Sequence, residues 1–238
     1  MVTVGKISPS ALNRFENCPL HWWYKKLKRV GIETDDTPRR LGLNIHQMID
    51  EYFKTIPEVP TIDEIEQIAK LVFDKKFDKS LSSVREKAEK CWRNFIKFEK
   101  ERLKSWPVYK PTKTEAVVQT GDYYCIVDFV SEECGVAIDW KTGAKTRLWD
   151  SELRQGKINL MALEGNGSTV DKFFFVCLEN GKTLEMPEVN RAWIENSTQR
   201  MRRMISKGLF PKIVGKLCGW CEYQLDCEFS GICLWLNY

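Results

Sequence analysis

Two apolar segments flank a short polar turn in the middle of the chain, at residues 127–130 and 135–143. This pattern predicts a β-hairpin, in which successive side chains of a strand point to opposite faces. One face of the second strand then carries Asp139 and Lys141, and Asp128 lies on the neighbouring strand. The other face carries the apolar residues Val136, Ile138 and Trp140. Two acids and a lysine fit either a divalent-metal site with a cationic helper or an ordinary polar surface.

The composition is that of a folded protein with one large domain or two small ones: 238 residues, 43% of them hydrophobic and 29% charged. No uncharged apolar stretch approaches the ~20 residues of a membrane-spanning helix, so we expect no membrane span. The first residues lack the apolar core of a signal peptide, which predicts an intracellular protein. Nine cysteines in a reducing compartment favour metal ligation or buried thiols over disulfides. A net charge of +4 permits nucleic-acid binding without requiring it.

The first half of the chain has the periodicity of helices. After a helix that opens at Ser8 and Pro9, we predict helices near residues 41–53, 62–77 and 83–106, with residues 34–40 as a polar connection. His46 lies at the edge of the apolar stripe of the first of these. A single histidine is more often a hydrogen-bonded structural residue than a ligand, so His46 alone decides nothing.

Aromatic and basic side chains stand together near the N-terminus, and a helix predicted over residues 188–207 carries several arginines that could face phosphates. Such surfaces can stack on bases and contact phosphates of single-stranded nucleic acid. We assign DNA contacts to Trp22, Lys25, Lys26, Arg200 and Arg203. The alternative is a core helix followed by solvated charges, and it remains open.

The predicted β region begins near residue 113, with strands over residues 115–119 and 123–130. Together with the strand that carries Asp139 they would form a three-stranded antiparallel meander. Glu115, at the start of the first strand, is either a third carboxylate of the site or a surface charge. A helix over residues 150–163 follows, and it places Gln155 on the same face as Asn159, four residues later. A continuous apolar strand is predicted at 171–177, as in a sheet covered on both faces.

The end of the chain has the cysteine spacing of a metal site. Cys218 and Cys221 form a Cys-x-x-Cys pair, and Cys227 and Cys233 follow at regular intervals. Four soft thiolates suit either zinc or an iron–sulfur cluster. The fourth ligand is either the local Cys233 or the distant Cys18, which would connect the two ends of the chain.

Taken in order, these motifs resemble those of the RecB-type branch of the PD-(D/E)XK nucleases. The most similar members carry an iron–sulfur cluster: the Cas-four nucleases of CRISPR-associated antiviral defence, their viral relatives, and the AddB nuclease domain. The residues that carry the resemblance are Ser8-Pro9-Ser10 with Phe15-x-x-Cys18-Pro19, Leu41-Gly42 to His46, Glu115, Val127-Asp128, Ile138-Asp139-Trp140-Lys141-Thr142-Gly143, Gln155 and Cys218-x-x-Cys221-x5-Cys227. Asn159 departs from the family, which usually has tyrosine there, and Cys233 is an additional thiol.

The resemblance implies an α/β fold with a central mixed sheet and helices on both faces, folded as a single nuclease domain over residues 1–238. Within it, residues 1–110 would be a helical part and 111–210 the catalytic α/β core. Residues 211–238 would be a Cys-rich region that closes on Cys18. The implied cofactors are a [4Fe-4S] cluster and Mg²⁺ or Mn²⁺.

The implied activity is metal-dependent hydrolysis of DNA phosphodiester bonds, above all by an exonuclease on single strands, with endonuclease action also open. The implied ligands of the catalytic metal are His46, Asp128, Asp139 and Trp140. Lys141 would orient the attacking water or stabilise developing charge. Gln155 would position either the backbone or the region of Lys141, and Glu115 would be an outer carboxylate or a transient ligand of a second metal. The implied cluster ligands are Cys18, Cys218, Cys221 and Cys227.

Two readings from other classes remain open at this point. One is a non-catalytic nucleic-acid-binding module with structural zinc, and the other is a docking subunit for a helicase, integrase or recombination protein. The intact set of two acids, a lysine and a histidine favours the enzyme. Strand polarity and oligomeric state do not follow from the sequence.

Overall fold

The structure is a computed structural model that describes residues 5–28, 35–224 and 227. Its contacts divide the chain into two compact units. One unit is residues 36–189, and the other combines the described residues before Asp36 with those from Asn190 onwards. The structure therefore brings the two ends of the chain into the same unit.

The regular elements alternate between helices and strands after an all-helical first part. The helices are α1 Pro9–Asn17, α2 Pro19–Trp23, α3 Thr37–Thr55, α4 Ile62–Lys76, α5 Arg85–Ser105, α6 Asp150–Glu164 and α7 Arg191–Ser206. Single turns of other helical types occur at Tyr24–Lys28, Lys79–Val84 and Lys216–Trp220. The strands are β1 Lys113–Gln119, β2 Tyr124–Ser131, β3 Val136–Lys141, β4 Lys172–Cys177 and β5 Lys182–Glu185.

The five strands form one sheet in the order in which they occur along the chain. The pairs β1–β2, β2–β3 and β4–β5 are antiparallel, whereas β3 and β4 are parallel. A parallel pair needs a crossover connection, and α6 supplies it. The predicted antiparallel meander of β1, β2 and β3 is confirmed.

Helices cover both faces of the sheet. On one face, apolar side chains of α3, α4 and α5 form a continuous core with β2, β3 and β4. The predicted inner residues of β3 belong to it: Val136, Ile138 and Trp140. Phe174 of β4 packs against this core, while the adjacent Phe173 lies against α6 at Gly156. Because successive strand residues face opposite sides, α6 covers the other face. The predicted mixed α/β fold is confirmed.

The first helix of this unit begins earlier than predicted. The polar connection expected up to Arg40 is helical from Thr37. Pro38 explains the difference, because proline is well accommodated in the first turn of a helix, where its missing N–H costs no hydrogen bond. The earlier start places one more turn of α3 ahead of His46.

A buried ion pair lies on α5, which the sequence suggests is only scaffold. The Arg102 guanidinium donates to both carboxylate oxygens of Glu99, at 3.1 Å from Nε and 2.7 Å from Nη2. The two side chains are 1% and 0% exposed. Four aromatic rings surround the guanidinium carbon at 4.3–5.6 Å: Phe53, Trp106, Tyr109 and Phe129.

In the unit formed by the chain ends, the Ser8 hydroxyl accepts a hydrogen bond from the Ala11 N–H and caps α1 as predicted. The first helix ends at Asn17, Cys18 is extended, and α2 begins at Pro19. Trp22 is only 5% exposed and packs on Phe15 and Phe210. Across the described residues, no helix is both long and apolar enough to cross a membrane.

Candidate functional site

Neighbouring strands bring two acids together. Phe129 of β2 stands opposite Ile138 of β3, so the same register places Asp128 opposite Asp139. Both acids are buried. Asp128 Oδ2 accepts a hydrogen bond of 2.8 Å from the backbone N–H of Trp140, which fixes this carboxylate against β3.

His46 of α3 completes the cluster from the helical side. Its Nε2 lies 2.9 Å from the carbonyl oxygen of Trp140. Its Nδ1 lies 3.5 Å from Asp128 Oδ2 and 3.7 Å from Glu115 Oε1. The possible ligand atoms of His46, Glu115 and Asp128 all lie within 4.8 Å of one another. Within the described part of the chain, no other three His, Cys, Asp or Glu side chains come this close together. His46, one of two histidines in the sequence, thus lies at the acidic site.

Glu115 reaches this cluster through an unusual backbone conformation. Its φ of +45° is the one positive value of a non-glycine residue in the described chain. Such a conformation is strained for an L-amino acid, and strain of this kind concentrates at functional sites. From the sequence alone, Glu115 could be either a metal ligand or a surface charge. In the structure its carboxylate lies close to His46 and Asp128.

Asp139, in contrast, lies beside Lys141 and Gln155. Lys141 Nζ is 2.8 Å from Asp139 Oδ2 and donates a 2.8 Å hydrogen bond to Gln155 Oε1. The amide nitrogen of Gln155 donates to Asp139 Oδ1. The three side chains therefore form a closed ring, which confirms that Asp139 and Lys141 share a face. Gln155 on α6 connects the acid to the lysine.

The charge balance of the site shows in its pKa values. Burial raises the pKa of Asp139 to about 6. The positive charge of Lys141 lowers this pKa, and the negative charge of Asp128 raises it. Burial alone would lower the pKa of His46, but Asp128 and Glu115 raise it well above its usual 6.5. Burial is thus the main reason why the pKa of Asp139 is raised, whereas the neighbouring carboxylates raise the pKa of His46.

These residues fit a hard divalent cation. Carboxylate oxygens are the ligands that Mg²⁺ and Mn²⁺ prefer, and an imidazole nitrogen is well suited to a transition metal such as Mn²⁺. The carbonyl oxygen of Trp140 adds a further oxygen next to His46. A cation at this point would offset the negative charge of the carboxylates, which is what raises the pKa of His46.

Asn159 lies one turn beyond Gln155 on α6 and is buried. Neither atom of its amide has a hydrogen-bond partner among the residues that the structure describes. This is the position where the related nucleases usually have tyrosine, and the structure gives no contact that explains the asparagine.

Four cysteines meet in the unit formed by the chain ends. Cys18, Cys218, Cys221 and Cys227 line one cavity of about 420 Å³. Burial raises the pKa of the Cys221 thiol, and the charges of the other three raise it further, so all four lie close to one another. No two of these four form a disulfide. Cys233 lies outside the described residues.

The side chains predicted to contact DNA are in different environments. Trp22 is buried, so its ring cannot stack on a base, and the predicted stacking role does not fit. Lys25 pairs with Glu222 at 3.2 Å, and Arg200 pairs with Glu16 at 2.5 Å. Lys26 and Arg203 are exposed.

A scan against protein families matches residues 6–228 to the PD-(D/E)XK nuclease superfamily. The chain belongs to this superfamily. The match spans the strands with Asp128 and Asp139 and all four cysteines of the cavity. None of the curated proteins matches the chain.

The fold is also similar to that of a solved structure. The crystal structure of a candidate exonuclease from Eubacterium rectale is similar to this chain, with a TM-score of 0.51 and 14% identity. The similarity covers 92% of this chain and 87% of that one. At this identity the likeness is evidence for the fold alone.

The sequence did not predict two features of this unit, the positive φ of Glu115 and the contact of Arg147 with Trp149. The place of Glu115 among the ligand atoms depends on its backbone conformation, for which the sequence gives no signal. The exposed pair of Arg147 and Trp149, whose guanidinium lies 3.6 Å from the indole centre, stands just before α6. A tryptophan in a polar segment next to the Asp-x-Lys motif was a signal that could have found it.

Proposed function

We propose that the protein is a Mg²⁺- or Mn²⁺-dependent deoxyribonuclease that acts mainly as an exonuclease on single-stranded DNA. The observation that carries this proposal is the convergence of His46, Glu115 and Asp128 next to the paired Asp139 and Lys141. A carboxylate–imidazole cluster beside a held lysine is what hydrolysis of a phosphodiester requires.

In this proposal, one set of side chains binds the metal and another stabilises charge on the phosphate. His46, Glu115, Asp128 and Asp139, with the carbonyl of Trp140, would hold the cation. When bound, it would lower the pKa of a water and polarise a phosphoryl oxygen. Lys141 is held by Asp139 and Gln155, so its ammonium needs little reorganisation to meet the charge that develops on the phosphate. Burial alone would lower the pKa of Lys141, but Asp139 raises it, so the ammonium stays charged.

We further propose that the four cysteines hold a [4Fe-4S] cluster, as in the RecB- and AddB-like branch of the superfamily. Among these four thiols, no three sulfur atoms lie within 4.8 Å of one another. Thiolates around one zinc would lie about 3.8 Å apart, given Zn–S bonds of about 2.3 Å in a tetrahedron. The lack of such a close group among these thiols, together with the cavity that all four line, supports a polynuclear cluster. Its role would be to hold the chain ends together.

A cleavage assay on end-labelled DNA tests the catalytic proposal. Single-stranded and double-stranded oligonucleotides are incubated with Mg²⁺ or Mn²⁺, and again with EDTA. We expect stepwise shortening from an end, faster on single strands, with the metals and none with EDTA. Asp139→Ala and Lys141→Ala should each abolish it while the circular dichroism of the protein stays unchanged.

The matched controls are Asp74→Ala and Lys75→Ala on α4, a helix that contributes no side chain to the site. These variants should keep full activity. Full activity in the Asp139 or Lys141 variant, purified in the same way, would disprove the assignment. DNA binding without any metal-dependent turnover in the parent protein would instead indicate a non-catalytic binding module.

A further inference from the structure

An exposed aromatic side chain stands on the segment that connects the two catalytic elements. This segment runs from β3, which carries Asp139 and Lys141, to α6, which carries Gln155. Trp149 is its last residue, and 53% of its surface is exposed. The guanidinium carbon of Arg147 lies 3.6 Å from the centre of the indole ring.

The backbone of this segment is held at two points. The Trp149 N–H donates to Glu152 Oε2 at 3.1 Å, and the Trp149 carbonyl accepts from the Glu152 N–H at 2.9 Å. Lys145 pairs with Glu152 at 3.1 Å, and its carbonyl accepts a 2.9 Å hydrogen bond from Asn180. The indole is therefore at a defined position although its ring is not packed in the core.

Arg147 has no carboxylate partner among the described residues, and its contact is with the ring of Trp149. A guanidinium stacked on an indole gives a surface that is flat, aromatic and cationic. Any of the four bases can stack on such an aromatic surface. A guanidinium without a carboxylate partner can also contact the phosphate. The chemistry of the pair thus matches an unpaired nucleotide.

The distance to the active site also fits. Trp149 precedes Gln155 by six residues, which is about 9 Å along a helix axis. At the roughly 3.4 Å rise of a stacked strand, this corresponds to two or three nucleotides. We infer that Trp149 and Arg147 form a stacking platform for an unpaired base of the substrate strand, two or three nucleotides from the scissile phosphate.

This inference rests on the proposed nuclease function and adds a source of strand preference to it. Inside a duplex both faces of a base are covered by its neighbours. The platform therefore favours single strands and frayed ends, with little dependence on the base. Trp149 would be a substrate-binding residue, and Arg147 would orient it.

The test measures DNA binding and cleavage separately. Binding is followed by fluorescence anisotropy in an Asp139→Ala background, with single-stranded oligonucleotides and a blunt duplex of equal length. Trp149→Ala should weaken single-strand binding by about tenfold to a hundredfold and duplex binding by less than about twofold. Trp149→Phe should retain most of the affinity. Arg147→Ala, which removes the stacked guanidinium, should also weaken single-strand binding. Arg39→Ala, which removes another exposed arginine, is its control and should bind single strands like the background protein.

Abasic substrates locate the platform. Single-stranded substrates are made with one missing base at each position from the scissile phosphate. We expect the parent protein to lose activity most when the base two or three nucleotides away is missing, and Trp149→Ala to be indifferent to that change. An equal response of parent and variant at every position, or equal losses of single-strand and duplex binding, would overturn the inference.

The two proposals can fail separately. If the parent protein cleaves no DNA with either metal, the nuclease proposal fails, but the binding comparison still decides whether Trp149 stacks on single strands. If cleavage is metal-dependent and Trp149→Ala binds single strands like the background protein, the platform fails while the nuclease proposal stands.

Discussion

The ammonium of Lys141 donates a hydrogen bond to Gln155, with 2.8 Å between Nζ and Oε1. The same glutamine donates to Asp139, so one amide on α6 sets the positions of both members of the Asp-x-Lys motif. A helix that crosses between parallel strands thus controls the geometry of side chains that lie on the first of them. We propose that Gln155 is a positioning residue, since its amide oxygen and its amide nitrogen bond to Lys141 and Asp139 respectively.

Gln155→Ala should lower the rate of DNA cleavage by about 10-fold to 100-fold, as does loss of the groups that orient metal ligands elsewhere. The loss should appear in kcat more than in KM, because Lys141 would still be present but less well held. Lys157→Ala, two residues further along α6, is the control and should have the parent rate. If both variants lose activity equally, the effect comes from the helix as a whole. If Gln155→Ala keeps the parent kcat, the positioning role is wrong.

Proton release should accompany metal binding. Protons on Asp139, with its pKa of about 6, and on His46, with its pKa well above 6.5, occupy the groups that a cation needs. Both deprotonate as the pH rises, so Mn²⁺ affinity should rise with pH and fall below about pH 6. Each proton displaced contributes roughly a tenfold change per pH unit. Calorimetric titration with Mn²⁺ from pH 5.5 to 8.5 measures both the affinity and the number of protons released.

His46→Gln identifies one of these protons. The variant should bind Mn²⁺ more weakly at high pH, where His46 is deprotonated and its loss removes a ligand, and the deficit should shrink as the pH falls. The dependence of affinity on pH above about 6.5 should also become flatter, because glutamine does not titrate in this range. An unchanged slope in the variant would show that His46 releases no proton to the metal.

Removal of one partner of the Glu99–Arg102 pair should lower the free energy of unfolding strongly, whereas replacement of both partners should change it little. Arg102→Met leaves the Glu99 carboxylate buried without a partner, so it should lower the free energy of unfolding by about 3–5 kcal/mol. Glu99→Leu should do the same for the guanidinium. The double variant should lie within about 1 kcal/mol of the parent, since replacement of a whole buried pair by apolar groups is often nearly neutral. Urea unfolding of the four proteins measures this, and additive losses in the double variant would contradict it.

The order of elements was predictable because it is written in local patterns. Alternating side chains indicated the meander, and the face shared by Asp139 and Lys141 followed from the same period of two. The continuous apolar strand that became β4 was predictable because it is covered on both sides. Each of these features depends on residues that are close together in the sequence.

What could not be predicted depends on contacts between distant parts of the chain. The distance between His46 and Trp140 is set by how α3 packs on the sheet, and no pattern in either segment encodes it. The burial of Trp22 likewise depends on Phe210, which lies far along the chain. An aromatic next to lysines looks the same in sequence whether its ring packs inside or faces solvent.

The proposed iron–sulfur cluster depends on the four cysteines that line one cavity. Cys221→Ala should remove the cluster, so the protein as purified should lose its iron, its acid-labile sulfide and its visible absorbance. Because loss of a bound metal group is among the most destabilising changes, we expect a cost of roughly 3 kcal/mol or more. For a chain of this size that lowers Tm by about 6–12 °C. Cys134→Ala, which removes a thiol of similar exposure outside the cavity, should keep the iron and change Tm much less. A colourless parent protein with one equivalent of zinc would show that the site is mononuclear, and a Cys221→Ala variant as stable as the parent would show that these cysteines do not hold the chain ends together.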